Sequence, residues 1–492
     1  MATLAADALH APAPLHLHAP IATDAASRRF ALVCIVFGIV LLKLALLIVD
    51  PEIRLFTGDS GTYLFSAITH GLAPDRSFTY PMLIRLITAR SDSLYSLLLL
   101  QTAFGTAVAT GVLCIAHFAL GVRLWLAALA ALLVAIEPSQ LFYERMIMTE
   151  AASTCCLVAL LGIALAYLAS GRFFWLLACI AAGVALASLR VGLVPVALAV
   201  PTASVLILAV LRGRGAPALR GWRFAAHLLA AIIVTWGCHD AYKRLYGRGT
   251  HGAPAYIQDA GVFRLGLVVP LLKREHFAGT GVDPALLDRV KLPLDDPFQR
   301  EAHIWLPDGL LAALRAEAGP RTREVAGVLA DRAIHDDPLG LLRMGLLTFK
   351  DYFDAPRRVE RMRSDLGFGE LPDARTLQML RERFHYDYAG VARTDTPMSD
   401  YFGASSWWLI SCLFLLAPLA IVLFALERRA HPAPSLLLAL LAPGLVVGQL
   451  LCSHIISFRY LHPLPVFFIL VLAGIADRLA PRRDKTPRHA LA

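Results

Sequence analysis

Charged residues are scarce in this chain of 492 residues, of which only 17% are Asp, Glu, Lys or Arg. Soluble globular domains carry about a quarter of such residues, so the composition argues against a chain that folds entirely in water. Apolar residues make up 57% of the sequence. A surplus of this kind needs a solvent other than water, and a lipid bilayer is the solvent that proteins use.

Patterns that would point to a disulfide framework or to nucleic acid are also missing. The eight cysteines show no CxxC spacing and no nearby cluster of metal-ligating residues, so they are expected to be small apolar side chains inside helices. We find no internal repeat and no nucleic-acid-binding motif. The net charge of +9 is therefore attributed to basic residues that orient membrane helices, because such residues gather on cytoplasmic loops.

Ten apolar runs approach the roughly 20 residues, at about 1.5 Å each, that a membrane-spanning helix needs. They are residues 30–49, 94–119, 124–142, 148–169, 173–189, 191–211, 222–238, 406–426, 434–453 and 461–479. The sequence therefore predicts an all-α polytopic membrane protein. Residues 1–29, rich in Ala, Pro and His, are expected to form a disordered cytoplasmic tail, and residues 480–492 a basic cytoplasmic tail.

The distribution of basic residues predicts the orientation of these helices. With the N-terminus in the cytoplasm, the cytoplasmic connections and tail hold Arg28, Arg29, Arg123, Arg172, Arg212, Arg214, Arg220, Arg223, Arg428, Arg429, Arg478, Arg482, Arg483, Lys485 and Arg488. The opposite loops hold fewer basic residues, mixed with carboxylates. This asymmetry favours two cytoplasmic termini and an even number of helices.

The orientation divides the chain into an N-terminal transmembrane module, residues 30–238, a domain on the non-cytoplasmic side (periplasmic if the membrane is a bacterial inner membrane), residues 239–405, and C-terminal transmembrane helices, residues 406–479. Within the first module, residues 50–92 form an outer loop with short helices expected at 62–70 and 81–90. Residues 339–353 are apolar but too short to span a bilayer, which predicts an interfacial or buried helix.

Charged side chains cluster at the predicted outer ends of the helices. They are Asp59, Arg76, Glu137, Glu144, Arg145, Glu150, Arg190 and Arg459. Because charges at membrane depth are costly and usually face a cavity, this pattern predicts a site at the outer membrane surface. Such a site suits a lipid-linked phosphate-sugar, whose phosphate arginines hold bidentately while a carboxylate accepts a proton from an attacking hydroxyl.

Several motifs, in this order, resemble the GT-C superfamily of membrane glycosyltransferases, in particular the protein O-mannosyltransferase-like group and the lipid A aminoarabinose transferases. They are Gly58-Asp59-Ser60-Gly61-Thr62-Tyr63-Leu64, Tyr80-Pro81-Met82-Leu83, Met148-Thr149-Glu150, Asp337-Pro338-Leu339 through Tyr352-Phe353, and Arg459-Tyr460-Leu461-His462-Pro463. Residues 239–405 otherwise carry no such likeness. The chain also lacks the basic residue and paired prolines that often accompany the second motif, so Arg76 or Arg85 is expected to contact the donor phosphate instead.

The resemblance implies a GT-C-like bundle of about ten transmembrane helices in a bacterial inner membrane, with the active site facing the periplasm. The implied activity is an inverting glycosyltransferase that moves a sugar from a polyprenyl-phosphate donor to a lipid, glycan or protein acceptor. It implies Asp59 as the base and Glu150 as an orienting carboxylate. Phosphate binding falls to Arg145, Arg190, Arg459 and Arg76, and further substrate contacts to Tyr63, Tyr80, Glu144 and Tyr460. No residue is assigned to a metal, although a divalent ion stays an option.

Each of these residues also has an ordinary structural interpretation. Asp59 is suited to cap a helix, Glu150 to complement a helix dipole, and Arg190 to extend from the membrane edge towards water. Glu144 and Arg145 are adjacent and suited to pair with each other, while Glu137 is expected to be structural. Three functional alternatives also remain: an O-antigen polymerase or ligase type of enzyme, a non-enzymatic transporter of lipid-linked glycans, and a scaffold.

Overall fold

The computed structural model describes residues 22–56, 58–88, 91–211, 221–367, 371–392 and 394–481. Most of the predicted N-terminal tail and residues 482–492 lie outside these ranges, as do Arg90, Arg212, Arg214 and Arg220. Among the described residues every regular element is helical, apart from an isolated bridge between Arg54 and Met146.

Within the described residues, eight helices are long and apolar enough to cross a membrane, which confirms a polytopic helical membrane protein. They are Ala26–Val49, Leu94–Ala119, Glu150–Ser170, Val191–Val210, Trp222–Gly249, Ser406–Glu427, Pro432–Leu451 and Phe458–Leu479. The first of these belongs to a helix that begins at Ala22. The predicted disordered tail therefore ends earlier than residue 29, because the alanines before Arg28 favour helix.

The two remaining apolar runs form shorter helices, Leu124–Ala135 and Phe173–Leu189. The first run is interrupted because Pro138 lacks an N–H group and opens a separate short helix, Pro138–Tyr143. The side chain of Glu137 caps that helix by accepting the N–H of Gln140 at 2.6 Å, as its structural interpretation predicts. The count of ten spanning helices stays a prediction.

Polar contacts identify the two ends of the helix bundle. At one end, the Arg123 side chain donates to Asp477 at 2.7 Å, and Arg478 pairs with Glu427. The opposite end carries the outer loop and the segment between Gly249 and Ser406. Inside the bundle, Lys43 donates to Glu144 at 2.5 Å, and both side chains are almost completely buried.

The loop between the first two long helices forms the helices Asp59–Thr69 and Thr79–Thr88. Each begins two or three residues before its predicted start. Gly58 precedes the first helix with φ of +88°, a conformation that favours glycine. Ser60 fixes the same turn, because its hydroxyl accepts the N–H of Phe56 and donates to the Ile147 carbonyl, both at 2.8 Å.

The helix Trp222–Gly249 continues beyond residue 238, so the predicted domain boundary at 239 falls inside a helix. Within this extension Arg244 pairs with Asp240 one turn earlier at 2.6 Å, a contact that favours helix. The polar segment that follows contains the helices Ala260–Val268, Leu286–Arg289, Ala302–Trp305, Leu310–Ala318, Thr322–Asp336, Pro338–Asp351, Ala355–Leu366, Ala374–Phe384, Tyr388–Val391 and Pro397–Gly403.

The helix Pro338–Asp351 lies against the long helix Pro432–Leu451 at the site where an interfacial or buried helix was predicted. Gly345 allows the close approach, since a Cβ atom there would lie 2.2 Å from the backbone oxygen of Leu450. Leu339 and Leu346 remain exposed on the other face. This helix is thus buried on one side and apolar on its open side.

Candidate functional site

A cavity of about 700 Å³ lies between the ends of the long helices and the polar segment. Seven of the predicted site residues line it: Asp59, Tyr63, Arg76, Glu150, Arg190, Arg459 and Tyr460. They come from the outer loop and from the ends of three long helices. The structure therefore brings together five of the eight charged residues that the sequence places at the outer helix ends, and Glu137, Glu144 and Arg145 do not line this cavity.

Asp59 bridges two arginines that are far apart in the sequence. One carboxylate oxygen accepts a hydrogen bond from Arg76, and the other accepts one from Arg459 Nη1 at 2.6 Å. Burial alone would raise the pKa of Asp59, but the two guanidinium groups outweigh it and hold the pKa below its ordinary value. The capping interpretation is wrong, because the N-cap residue is Gly58 and both carboxylate oxygens of Asp59 contact arginines.

Glu150 and Arg190 form a second, looser pair beside this bridge. Their nearest nitrogen and oxygen atoms are 3.7 Å apart, which is longer than a hydrogen bond. Arg190 Nη2 donates to the backbone oxygen of Arg459 at 3.2 Å, so the two pairs are connected. Glu150 begins one long helix, while Arg190 follows the helix that packs antiparallel to it.

Four buried polar atoms around the cavity have no hydrogen-bond partner among the described residues. They are Glu150 Oε2, Arg190 Nη1, Arg76 Nε and Arg459 Nε. Because buried polar atoms in folded proteins are nearly always hydrogen-bonded, this arrangement has unused capacity for a polar ligand. Three of the four atoms are nitrogen donors, which favours a ligand with acceptor oxygens.

Arg459 is held in place by a buried carboxylate that the sequence analysis missed. Asp365 is fully buried, and it accepts the N–H of Phe458 at 2.6 Å and the hydroxyl of Ser457 at 3.1 Å. Tyr352 donates to the Ser457 carbonyl at 3.2 Å. Asp365 lies on an amphipathic helix outside every recognised motif, so nothing in the sequence distinguished it from a solvated residue.

Three predicted site residues lie outside the cavity, as does Arg85, the alternative contact for the donor phosphate. Arg145 donates to the backbone oxygens of Leu46, Asp50 and Leu141 at 2.7–2.8 Å, which places it as a cap on helix ends and not as a phosphate ligand. Glu144 pairs with Lys43 and not with Arg145. Tyr80 donates to Gln101 at 2.6 Å. None of the three lines the cavity, and Arg85 is exposed on its helix.

The polar segment contributes a second group of lining residues that sequence reasoning did not identify. Arg361 donates to Asp365 at 3.1 Å and to Glu301 at 3.4 Å. His454 lines the same part of the cavity, where burial and the neighbouring Arg300, Arg361 and Arg459 lower its pKa to about 3. His454 is therefore uncharged at neutral pH.

Within the part of the chain that the structure describes, one group of side chains has metal-ligand spacing, namely Glu275, His276 and Asp336. None of them lines the cavity. The side-chain ammonium of Lys273 already contacts Asp336. The backbone N–H of Lys273 donates to His276 Nδ1 at 3.1 Å. That bond places the proton of a neutral ring on Nε2, the nitrogen that faces Asp336, so this group does not fit a metal ion.

No family model matches the sequence, and no curated protein matches it significantly. The likeness to GT-C enzymes therefore stays an interpretation of the motif residues.

Proposed function

We propose that this chain is a GT-C-like, inverting glycosyltransferase that uses a polyprenyl-phosphate sugar as its donor. The observation that carries the proposal is the bridge from Asp59 to Arg76 and Arg459, beside Glu150 and Arg190, in a cavity at one end of the long helices. A carboxylate surrounded by guanidinium groups supplies both a base and a binding site for a departing phosphate.

Unused guanidinium donors in the cavity support a phosphate ligand. Arg76, Arg190 and Arg459 each keep a buried nitrogen atom without a hydrogen-bond partner among the described residues. A polyprenyl-phosphate sugar is a phosphodiester with one negative charge, and its free phosphate oxygens accept hydrogen bonds from such donors.

The same geometry supports an ordered reaction. In the free protein both oxygens of Asp59 are engaged by arginines and its pKa is lowered, which makes it a weak base. A bound phosphate would compete for these guanidinium groups and raise the pKa of Asp59. The acceptor hydroxyl then attacks the anomeric carbon, and the bond from that carbon to the phosphate oxygen breaks. The phosphate keeps the electron pair, and Asp59 takes the hydroxyl proton.

The position of the cavity also suits a lipid-linked donor. Glu150, Arg190 and Arg459 lie at the ends of membrane-length helices, where a phosphate at headgroup depth would sit while its chain stays in the bilayer. We infer a bacterial inner membrane with ten spanning helices, residues 250–405 in the periplasm, and a lipid, glycan or protein acceptor. The basic residues at the opposite end of the bundle support this orientation.

The test is turnover by the detergent-purified full chain, measured as release of polyprenyl phosphate from polyprenyl-phosphate sugars. Asp59→Asn keeps the shape of the side chain but removes the base, so we expect turnover to fall about 100-fold or more. Asp400→Asn, an exposed aspartate outside the cavity, is the matched control. Undiminished transfer by Asp59→Asn would contradict the proposal, and turnover without a membrane separates an enzyme from a transporter.

A further inference from the structure

The cavity has a second side that the proposed phosphate contacts do not use. It is formed by Glu301, Trp305 and Arg361 from the polar segment and by Gln449 and His454 at the end of a long helix. These residues face the same space as Asp59 and Arg459. We call this group the uncharged side, because the charges within it are offset.

The uncharged side offers hydrogen bonds without a surplus of positive charge. Arg361 lies between two carboxylates, Asp365 at 3.1 Å and Glu301 at 3.4 Å, which offset its charge. His454 stays neutral because burial, together with the charges of Arg300, Arg361 and Arg459, lowers its pKa. A second phosphate would find no net attraction here. Neutral hydroxyl groups fit better, because a guanidinium donates, a carboxylate accepts and a neutral imidazole does both.

Trp305 adds an apolar face beside these polar groups. About half of its surface is exposed, although it lines a cavity, and its ring meets Phe263 edge to face with centroids 6.0 Å apart. An open indole face next to fixed planar hydrogen-bonding groups matches the two surfaces of a sugar ring, one formed by C–H groups and one by hydroxyls.

We propose that the uncharged side binds the sugar ring of the donor, with the ring against Trp305 and its hydroxyls against Glu301, Arg361 and His454. This inference rests on the proposed function. The ring falls beside the phosphate because Trp305, Arg361 and His454 line the same cavity as Asp59 and Arg459. The ligand class is a neutral, hydroxyl-rich pyranose or furanose.

The experiment compares two kinds of lipid on the purified full chain. One is bare undecaprenyl phosphate, and the other is a panel of undecaprenyl-phosphate sugars carrying glucose, galactose, mannose, N-acetylglucosamine or arabinose. We expect one or more sugar lipids to bind about tenfold more tightly than the bare lipid phosphate, a difference of about 1.4 kcal/mol. Trp305→Ala should remove this advantage while the Kd of the bare lipid phosphate changes by less than about twofold.

Two further variants sharpen the test. His454→Gln should reduce the same advantage, since it keeps hydrogen-bonding groups but moves them. Trp407→Ala is the matched control, because Trp407 is a tryptophan of similar exposure that does not line the cavity, and it should leave both affinities unchanged.

The possible failures can be told apart. If no sugar lipid binds more tightly than the bare lipid phosphate, or if the advantage survives in both Trp305→Ala and His454→Gln, the sugar subsite is wrong. If bare undecaprenyl phosphate does not bind, or binds Arg459→Gln as tightly as the wild-type chain, the proposed function fails as well.

Discussion

Asp365 accepts the backbone N–H of Phe458 at 2.6 Å, and this contact fixes the residue immediately before Arg459. The two residues belong to different parts of the fold, a helix of the polar segment and the start of the last long helix. The polar segment therefore both covers the cavity and sets the position of an arginine that contacts Asp59.

Asp365→Asn should weaken lipid phosphate binding through Arg459. The substitution removes the charge that faces Arg361 and places an amide donor against a guanidinium donor. We expect the Kd of undecaprenyl phosphate to rise at least about tenfold, since a hydrogen bond to a charged group contributes about 1.5–3 kcal/mol. Asp354→Asn is the matched control, since Asp354 caps the same helix but does not contact Ser457 or Phe458. Equal effects of the two variants would reduce Asp365 to a general stabilising role.

The Asp59 bridge should stabilise the fold in a pH-dependent way. The pKa of Asp59 is lowered in the folded chain from an ordinary value of 3.8, so its contribution is fully present above that value. The contribution is lost as the pH falls through the lower pKa of the folded state. Thermal unfolding in detergent from pH 7 to pH 3 checks this.

The expected result is a wild-type chain that unfolds at a higher temperature than Asp59→Asn at pH 7, with the gap narrowing towards pH 3. Asp400→Asn provides the baseline for an exposed aspartate. A gap that stays constant over the whole range would show that the carboxylate does not titrate as the bridge requires.

The convergence of Asp59, Glu150, Arg190 and Arg459 was predictable from the sequence. Charges avoid the lipid, so they fall at helix ends, and helices that alternate in direction bring every second end to the same side. The eight long helices followed from the length of their apolar runs. Both constraints, the exclusion of charge from lipid and the length of a spanning helix, act on the whole chain and can therefore be recognised in its sequence.

The residues that the sequence analysis assigned wrongly or did not identify depend on local contacts that no sequence pattern encodes. Arg145 looked like its neighbouring site arginines, but the ends of two helices left carbonyl groups that needed its donors. Arg361 and Asp365 lie on a helix whose spacing is that of any amphipathic surface helix. Only the packing of that helix against Ser457 distinguishes them from solvated charges.

Lys43 and Glu144 should behave as a coupled pair. Each is about 1% exposed, and they are 2.5 Å apart, with Gln140 also donating to Glu144 at 3.0 Å. Removing one partner leaves an uncompensated buried charge, which costs about 3–5 kcal/mol. Lys43→Met and Glu144→Gln should therefore each destabilise the chain strongly.

The double variant Lys43→Met/Glu144→Gln should be less destabilised than the sum of the single variants, because neither charge is then left alone. Unfolding in detergent or mixed micelles measures the three free energies, and the exposed pair Arg244–Asp240 serves as a matched control with little expected coupling. Additive effects at Lys43 and Glu144 would mean that the two charges do not depend on each other.

Gly345 should tolerate no side chain, because the helix Pro338–Asp351 lies directly on the backbone of Pro432–Leu451. A Cβ atom would meet the Leu450 oxygen at 2.2 Å and its carbon at 3.0 Å, and backbone atoms have little freedom to move. Gly345→Ala is expected to destabilise the chain by about 1–3 kcal/mol, as overpacking does.

Gly162→Ala is the opposite case, since a Cβ atom there meets nothing within 4 Å, and alanine should favour that helix. Thermal unfolding of both variants beside the wild-type chain measures the difference. Two substitutions of the same chemistry should thus shift the unfolding temperature in opposite directions, and a shared direction would mean that this helix does not pack as closely as described.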